Sequence, residues 1–140
     1  IIFDRGIGDL FVIRIAGNVV DPAILGSLLL ALKHFGCPLV VVMGHQSCGA
    51  IRMALSPDSV LIREPVGVIK LVELIRENIP ETLANPERND GVIHQGVMEN
   101  LSAAVSAIES DAFVADRVSE GKLRIIPALY SHESGKITWL

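Results

Sequence analysis

The chain has 140 residues, of which 50% are hydrophobic, 4% are aromatic and 20% are charged, and its formal net charge is −4 at pH 7. This aliphatic composition is typical of a layered α/β core, and the acidic balance gives no support to binding of nucleic acid or of an anionic membrane surface. No apolar run reaches the roughly 18 residues that a transmembrane helix requires, so no membrane partner is expected.

The first predicted elements are a loop and a strand. Residues 1–9 contain Gly6 and Gly8 and predict a loop with a short helical or extended piece. Residues 10–15 are rich in β-branched and aromatic side chains and predict a strand, and the Ala16-Gly17-Asn18 sequence predicts a turn. The chain opens inside an apolar segment without Met or a polar leader, and we therefore expect it to be part of a longer protein.

A helix then leads into a second strand. Asp21 can cap a helix that begins at Pro22, and leucines at spacings of three, one and three give this helix an apolar face until Gly36. The run from Leu39 to Gly44 does not alternate, which is typical of a strand buried on both faces of a parallel sheet. The succession of strand, helix and strand predicts a right-handed crossover unit.

The rest of the sequence predicts four helices and a closing hairpin. The helices are predicted at residues 50–55, 65–78, 91–109 and 113–119, with breaks at 56–58, at Pro80 and at Asn85-Pro86. A strand is predicted at residues 123–130, followed by a turn at 133–136 and an antiparallel strand at 137–140. Without repeats or linkers, residues 1–140 are expected to form a single α/β domain.

The loop Gly44-His45-Gln46-Ser47-Cys48-Gly49-Ala50 carries the strongest chemical pattern. It lies at the carboxyl end of a buried strand, where open α/β sheets place their ligand sites. His45 and Cys48 can reach one zinc ion, and a helix amino terminus favours the thiolate form of Cys48. Because zinc requires at least three protein ligands, a polar loop with a buried thiol remains the alternative.

Other polar residues are given structural roles. Arg14 is expected to pair with Asp9 or Asp4, and an anion site formed with Tyr130 is the alternative. A surface position is expected for His34, His94 and His132, any of which could shuttle protons. Two cysteines in different settings do not make a disulfide framework, so a reducing compartment is expected.

Three motifs, in this order and spacing, resemble the β-class carbonic anhydrases: Phe3-Asp4-Arg5-Gly6-Ile7-Gly8-Asp9-Leu10-Phe11-Val12-Ile13-Arg14, then Ala16-Gly17-Asn18, then Gly44-His45-Gln46-Ser47-Cys48-Gly49-Ala50. The tail, with Leu129-Tyr130 and Ser134-Gly135-Lys136-Ile137, is similar to the closing hairpin of that family. The resemblance covers nearly the whole chain. It implies a mostly parallel sheet flanked by helices, with a C-terminal antiparallel hairpin strand.

The resemblance also implies a zinc enzyme. In this family one Zn²⁺ is held by two cysteines and a histidine, with water or an Asp carboxylate in the fourth position. His45 and Cys48 match two of these ligands, and the backbone of Gly49 would line the substrate pocket. The implied reaction is the reversible hydration of carbon dioxide to bicarbonate and a proton. Family members form dimers and larger even-numbered assemblies, so a homo-oligomer is expected.

One motif of the family, Cys-x-Asp-x-Arg, does not occur in these 140 residues. It supplies the other cysteine ligand, so we expect a segment outside this sequence to complete the zinc site and the 140-residue chain alone to be inactive. Cys37 cannot replace that ligand, because it precedes the strand whose far end carries His45.

Two alternatives to this function remain open. One is a zinc-free, truncated scaffold of the same fold without catalytic activity. The other is a hydrolase of carbon disulfide or carbonyl sulfide, since such enzymes resemble the same fold and zinc site. The cytoplasm is the expected compartment, and the periplasm remains open because a signal peptide would lie outside this sequence.

Overall fold

The structure is a computed structural model that describes residues 2–83 and 89–140. The described chain contains both helices and strands, with one strand before and two strands after a run of helices. Their bounds are α1 (Pro22–His34), β1 (Leu39–His45), α2 (Gly49–Ala54), α3 (Asp58–Leu61), α4 (Val66–Glu77), α5 (Asp90–Glu109), α6 (Ala112–Ser119), β2 (Arg124–Tyr130) and β3 (Ile137–Trp139). Short 3-10 turns occupy Ala16–Asn18 and Glu81–Leu83. The predicted break at Asn85 and Pro86 lies outside the described residues.

The three strands form one mixed sheet in the order β1-β2-β3. Strands β1 and β2 are parallel, with Leu39 opposite Arg124 at one end and His45 opposite Tyr130 at the other. Strand β3 pairs antiparallel with β2, and Tyr130 faces Ile137 in this register. The predicted C-terminal antiparallel hairpin strand is confirmed, whereas the described sheet is mixed, with one parallel and one antiparallel pairing, and not mostly parallel.

The strand predicted at residues 10–15 is wrong. Leu10, Phe11 and Val12 are 47%, 47% and 64% exposed, and within the described part of the chain the sheet consists of β1, β2 and β3. Strand propensity reflects packing against neighbouring strands, so a strand-like sequence without a partner stays irregular. The Phe11 ring instead packs on Phe35, with ring centroids 5.8 Å apart.

The ion pair expected for Arg14 is also absent from the described residues, where the ion pairs involve other side chains. The Asp9 carboxylate accepts a hydrogen bond from the Gly6 N–H group at 2.9 Å. Asp9 therefore stabilises its own loop, and the expected pairing with Arg14 is wrong.

Side-chain caps explain where the longer helices begin. Asp21 accepts a hydrogen bond from the Ile24 N–H group at 2.8 Å, directly ahead of Pro22. Asn89 caps α5 by accepting from the Val92 N–H group at 3.0 Å. Such caps satisfy backbone donors that have no partner inside the helix. The expected helix starts are confirmed to within one residue, whereas α3 formed where only a chain break was predicted.

Two buried clusters form the core, and α5 contributes to both. The first cluster joins α2, α4 and α5 and includes Ile51, Ile75 and Val97. The second joins α1, β1, α5 and α6 and includes Val40 and Leu101 among other residues. Helix α5 therefore connects the sheet with the helices behind the His45 loop.

A buried amide network fixes the Ala16–Asn18 turn. Asn100 of α5 is fully buried, donates a hydrogen bond to the Gly17 carbonyl oxygen at 2.6 Å, and accepts one from Asn78 Nδ2 at 3.0 Å. A Cβ atom on Gly17 would lie 3.5 Å from the Ala50 Cβ atom. The turn is thus held beside the beginning of α2.

Among the described residues, no helix combines the length and the apolar character that crossing a membrane would require.

Candidate metal centre

The loop that carries His45 and Cys48 connects the end of β1 to the beginning of α2. His45 is the last residue of β1, and Cys48 is the N-cap residue of α2, with φ −59° and ψ 120°. Ser47 adopts a positive φ of 54°, which allows the sharp turn between them. The Gln46 N–H group donates to the Tyr130 carbonyl oxygen at 3.0 Å and holds the loop against the end of β2.

The two candidate ligands differ in exposure. Cys48 is buried, with 5% of its surface exposed, and belongs to the core cluster of α2, α4 and α5. His45 is half-buried, and Gly49 is exposed at the first position of α2. A Cβ atom on Gly49 would meet no atom within 4 Å, so the space beside this backbone is open.

Helix α2 is held at its far end by Arg76 of α4. The guanidinium group donates to the Ala54 carbonyl oxygen at 2.8 Å and to the Ser56 carbonyl oxygen at 2.5 Å, and it pairs with Asp58 at 2.7 Å. These bonds satisfy carbonyl groups at the end of the helix, which lack partners within it. Arg76 thereby fixes the helix that begins at Cys48.

Close packing with α5 also fixes α2. A Cβ atom on Gly96 would lie 2.9 Å from Cγ2 of Ile51, so the two helices approach closely at this glycine. At the end of β1, a Cβ atom on Gly44 would lie 3.2 Å from Cγ1 of Val97. Both elements that flank the loop therefore rest on α5.

Two aromatic residues from the end of β2 join the loop. The His132 ring contacts the His45 ring edge to face, with centroids 5.0 Å apart and planes at 74°. It also contacts the Tyr130 ring, with centroids 5.1 Å apart and planes at 89°. His132 is exposed, as predicted, but its contact with His45 was missed. The signal was present in the sequence, because parallel strands end at the same edge and His132 follows β2 by two residues.

The His45 environment favours its neutral form. Burial lowers the pKa of His45 below 6.5, and the neighbouring His132 lowers this pKa further. Both effects disfavour the imidazolium, since a positive charge is costly to bury and is repelled by a second one. The neutral imidazole is the form that binds metal ions.

The donors of the described residues do not complete a zinc site. Zinc requires three or four protein ligands in the sites that proteins use, and residues 2–83 and 89–140 contain no group of three His, Cys, Asp or Glu side chains that could hold a metal ion. Cys37 lies ahead of β1, at the end opposite to His45. Within these residues, His45 and Cys48 are two donors of the types that zinc binds, without a third beside them.

Sequence comparison identifies relatives along almost the whole chain. The carbonic anhydrase family matches residues 1–137. Carbonic anhydrase 2 of Mycobacterium tuberculosis is 35% identical over 142 residues, covering 97% of this chain and 65% of the relative. The carbonic anhydrase of Mycolicibacterium smegmatis is 34% identical over 124 residues, covering 75% of this chain and 60% of the relative. The chain thus spans less than two thirds of the length of these relatives.

Solved structures share the fold. The β-carbonic anhydrase CcaA superposes with a TM-score of 0.82 at 25% sequence identity, covering 99% of this chain and 70% of that one. A tetrameric β-carbonic anhydrase from Sordaria macrospora superposes with a TM-score of 0.84 at 21% identity, covering 99% of this chain and 72% of that one. The expected fold class is confirmed by these similarities.

Proposed function

The chain belongs to the β-carbonic anhydrase family, and from this membership we propose that the protein catalyses the reversible hydration of carbon dioxide to bicarbonate and a proton with zinc as cofactor. The observation that carries this proposal is the placement of His45 and Cys48 at the two ends of one tight turn, at the carboxyl edge of the parallel strands. Ligand sites of open α/β sheets occupy this edge.

We assign His45 and Cys48 as two zinc ligands, with the remaining ligands supplied from outside the described residues. Zinc, when bound, acts as a Lewis acid that makes hydroxide available near neutral pH. The lowered pKa of His45 keeps its imidazole in the form that can coordinate a metal. The exposed Gly49 backbone, with open space beside it, is assigned to the substrate side of the site.

The second candidate function is a zinc-free scaffold of the same fold. It is favoured by one observation, namely that the described residues contain no group of three metal-binding side chains. Under the proposed function, the 140-residue chain alone is inactive and a longer form is active. Under the scaffold alternative, both forms lack zinc and activity.

We also propose that the protein is a homodimer or a larger even-numbered homo-oligomer. Apolar side chains remain exposed in residues 7–12, where Ile7 is fully exposed and Val12 is 64% exposed, and Trp139 of β3 is 54% exposed. Apolar patches of this kind mark interaction surfaces. Light scattering coupled to size-exclusion chromatography tests this assembly, and a mass equal to one chain would contradict it.

The function is tested by measuring zinc content and carbon dioxide hydration on the full-length protein encoded by the gene. We expect about one zinc ion per chain, as in other mononuclear sites, together with hydration activity in stopped-flow assays. Cys48→Ser should lose zinc and activity together. Cys37→Ser is the matched control, because it removes the other free cysteine and should retain both.

Wild-type protein that contains no zinc and hydrates no carbon dioxide would establish the scaffold alternative. If Cys48→Ser still binds zinc, Cys48 is not a zinc ligand. If Cys37→Ser loses zinc, the position of Cys37 at the opposite end of β1 from His45 is wrong. Assaying the 140-residue chain in parallel determines whether it needs additional residues for activity.

A further inference from the structure

The His45 imidazole makes an aromatic contact at the edge of the sheet. Among the described residues, no hydrogen bond to its ring nitrogens is formed, and its ring contact is with His132 at a centroid distance of 5.0 Å. Histidines that bind metals are usually oriented by a hydrogen bond from their second ring nitrogen to a carboxylate or carbonyl group. Within the described part of this protein, the edge-to-face contact with His132 is the interaction available to restrict the His45 ring.

His132 is itself held in position from two sides. Its ring lies against Tyr130, at a centroid distance of 5.1 Å and nearly perpendicular. The backbone around it is fixed by the closing hairpin, in which the Ser131 N–H group donates to the Lys136 carbonyl oxygen and the Gly135 N–H group donates to the Ser131 carbonyl oxygen, both at 2.9 Å. The backbone that carries His132 is therefore fixed, and its ring rests on Tyr130.

The strand register places these three rings in a row. His45 and Tyr130 are direct partners at the carboxyl ends of β1 and β2, and His132 follows Tyr130 into the hairpin. Edge-to-face packing of aromatic rings is favourable and depends on orientation. The row thus runs from Tyr130 through His132 to the candidate metal ligand.

We propose that His132 is a positioning residue that fixes the ring plane of His45 for metal binding. This inference rests on the proposed function, since it assigns a purpose to the orientation of a zinc ligand. It concerns the shape of the ring at position 132 and not its nitrogen atoms. A phenyl ring at this position should therefore preserve the effect, and a methyl group should not.

The test compares His132→Phe and His132→Ala with wild type in the full-length protein. Zinc affinity is measured by competition with a chromophoric chelator, and the ligand geometry by the visible absorption of the cobalt-substituted protein. We expect His132→Ala to weaken zinc binding about 10- to 100-fold, as for other residues that orient metal ligands, and to change the cobalt spectrum. His132→Phe should stay close to wild type in both. His34→Ala, which removes an exposed histidine at the end of α1, is the control.

A second measurement does not depend on zinc. Nuclear Overhauser contacts between the ring protons of His45 and those of residue 132 are expected in metal-free wild type and in His132→Phe. Their absence from the wild-type spectrum would overturn the inference, whatever the metal content.

The outcomes separate this inference from the proposed function. If wild type binds zinc and His132→Ala binds it equally well with an unchanged cobalt spectrum, His132 positions nothing and the inference fails while the function stands. If His132→Phe loses zinc as severely as His132→Ala, the imidazole nitrogen is required and His132 is a ligand, which also overturns the inference. If wild type binds no zinc at all, the proposed function fails.

Discussion

Gly17 lies so close to Ile75 that a Cβ atom at position 17 would be 2.5 Å from the Ile75 Cδ1 atom. Ile75 is fully buried, so its side chain cannot make room by turning out into solvent. Gly17 also has a φ of +69°, which L-residues with a side chain rarely adopt. Two independent constraints therefore require glycine at this turn beside α2.

The first prediction follows from these constraints. We expect Gly17→Ala to destabilise the protein through backbone strain of about 1–2 kcal/mol and through overpacking of about 1–3 kcal/mol. Gly121→Ala is the matched control, since Gly121 has nearly the same φ of +68° but open space around it. Urea unfolding should show the larger loss for Gly17→Ala. Equal losses in the two variants would show that the contact with Ile75 does not contribute.

Two helical glycines should respond to alanine in opposite directions. Gly26 of α1 is exposed and has no atom within 4 Å of an added Cβ, so Gly26→Ala should stabilise by about 1 kcal/mol through helix propensity. Gly96→Ala increases the helix propensity by the same amount, but it places a methyl group 2.9 Å from Ile51 Cγ2. Because Ile51 is buried and its Cγ2 is close to the backbone, we expect a net loss. Thermal unfolding of both variants tests this, and a stabilised Gly96→Ala would show that α2 and α5 can separate without cost.

The Asn100 amide is expected to be essential for the stability of the Ala16–Asn18 turn. Asn100→Ala leaves the buried Gly17 carbonyl oxygen without its donor, and such unsatisfied groups cost about 1–3 kcal/mol. Asn78→Ala should cost less, because it leaves only the Asn100 amide oxygen without its donor, whereas Asn100→Ala breaks the bonds to both Gly17 and Asn78. The free energy of unfolding in urea measures both. A larger loss for Asn78→Ala would contradict the assignment.

Arg76 should not tolerate lysine. A lysine ammonium cannot reproduce the fork that donates to the carbonyls of Ala54 and Ser56 and pairs with Asp58. We expect Arg76→Lys to lose about 1–3 kcal/mol of stability, because carbonyl groups at the end of α2 lose their donors. Arg52→Lys is the control. Its ion pair with Asp90 spans 3.4 Å and is largely exposed, so we expect a change of less than about 1 kcal/mol. Equal losses would show that the carbonyl contacts of Arg76 are unimportant.

The stability of the metal-free protein should fall as the pH is lowered through 6.5. The pKa of His45 is lowered in the folded state from its ordinary value of 6.5, so the unfolded chain takes up a proton that the folded chain resists. As the pH decreases from 6.5 to the pKa of His45 in the folded state, the unfolded state becomes progressively more favoured. Above pH 6.5, the contribution of His45 to the free energy of unfolding is constant. Urea unfolding between pH 5 and 8 in the presence of a chelator measures this effect.

Substitution of His45 isolates its share of the pH dependence. In His45→Gln, the free energy of unfolding should decrease less between pH 8 and pH 5 than in wild type. His94→Gln, at an exposed position of α5, should show the same decrease as wild type. An identical pH profile for His45→Gln and wild type would assign the fall to other groups.

Much of the fold could be predicted from local chemistry. The cap at Asp21, the strand β1 and the hairpin before β3 all formed as expected, because each depends on a few adjacent residues. The expected burial of both faces of β1 is wrong, since buried residues alternate with half-buried ones along this strand. The strand at residues 10–15 did not form, since a strand requires a neighbour that local sequence cannot guarantee. Helix α3 was missed because a single turn of helix gives almost no periodic pattern.

The candidate site was predictable only in part. His45 and Cys48 were found because they are close in sequence and follow a buried strand. Their roles as ligands stay a prediction, as does the role of Gly49. The contact with His132 was missed because it depends on the register between β1 and β2, which brings residues distant in sequence to the same edge. Such pairings are fixed by the assembled sheet and not by local preference.

The parallel register of β1 and β2 also constrains the order in which the protein can form during synthesis. Leu39 pairs with Arg124, so β1 and β2 can pair only after β2 has been synthesised. Pairings between distant residues are slow because a long loop must close first. We therefore expect the pairing of β1 with β2 to form late, and His45 to acquire its contact with the His132 ring only after β2 has been synthesised.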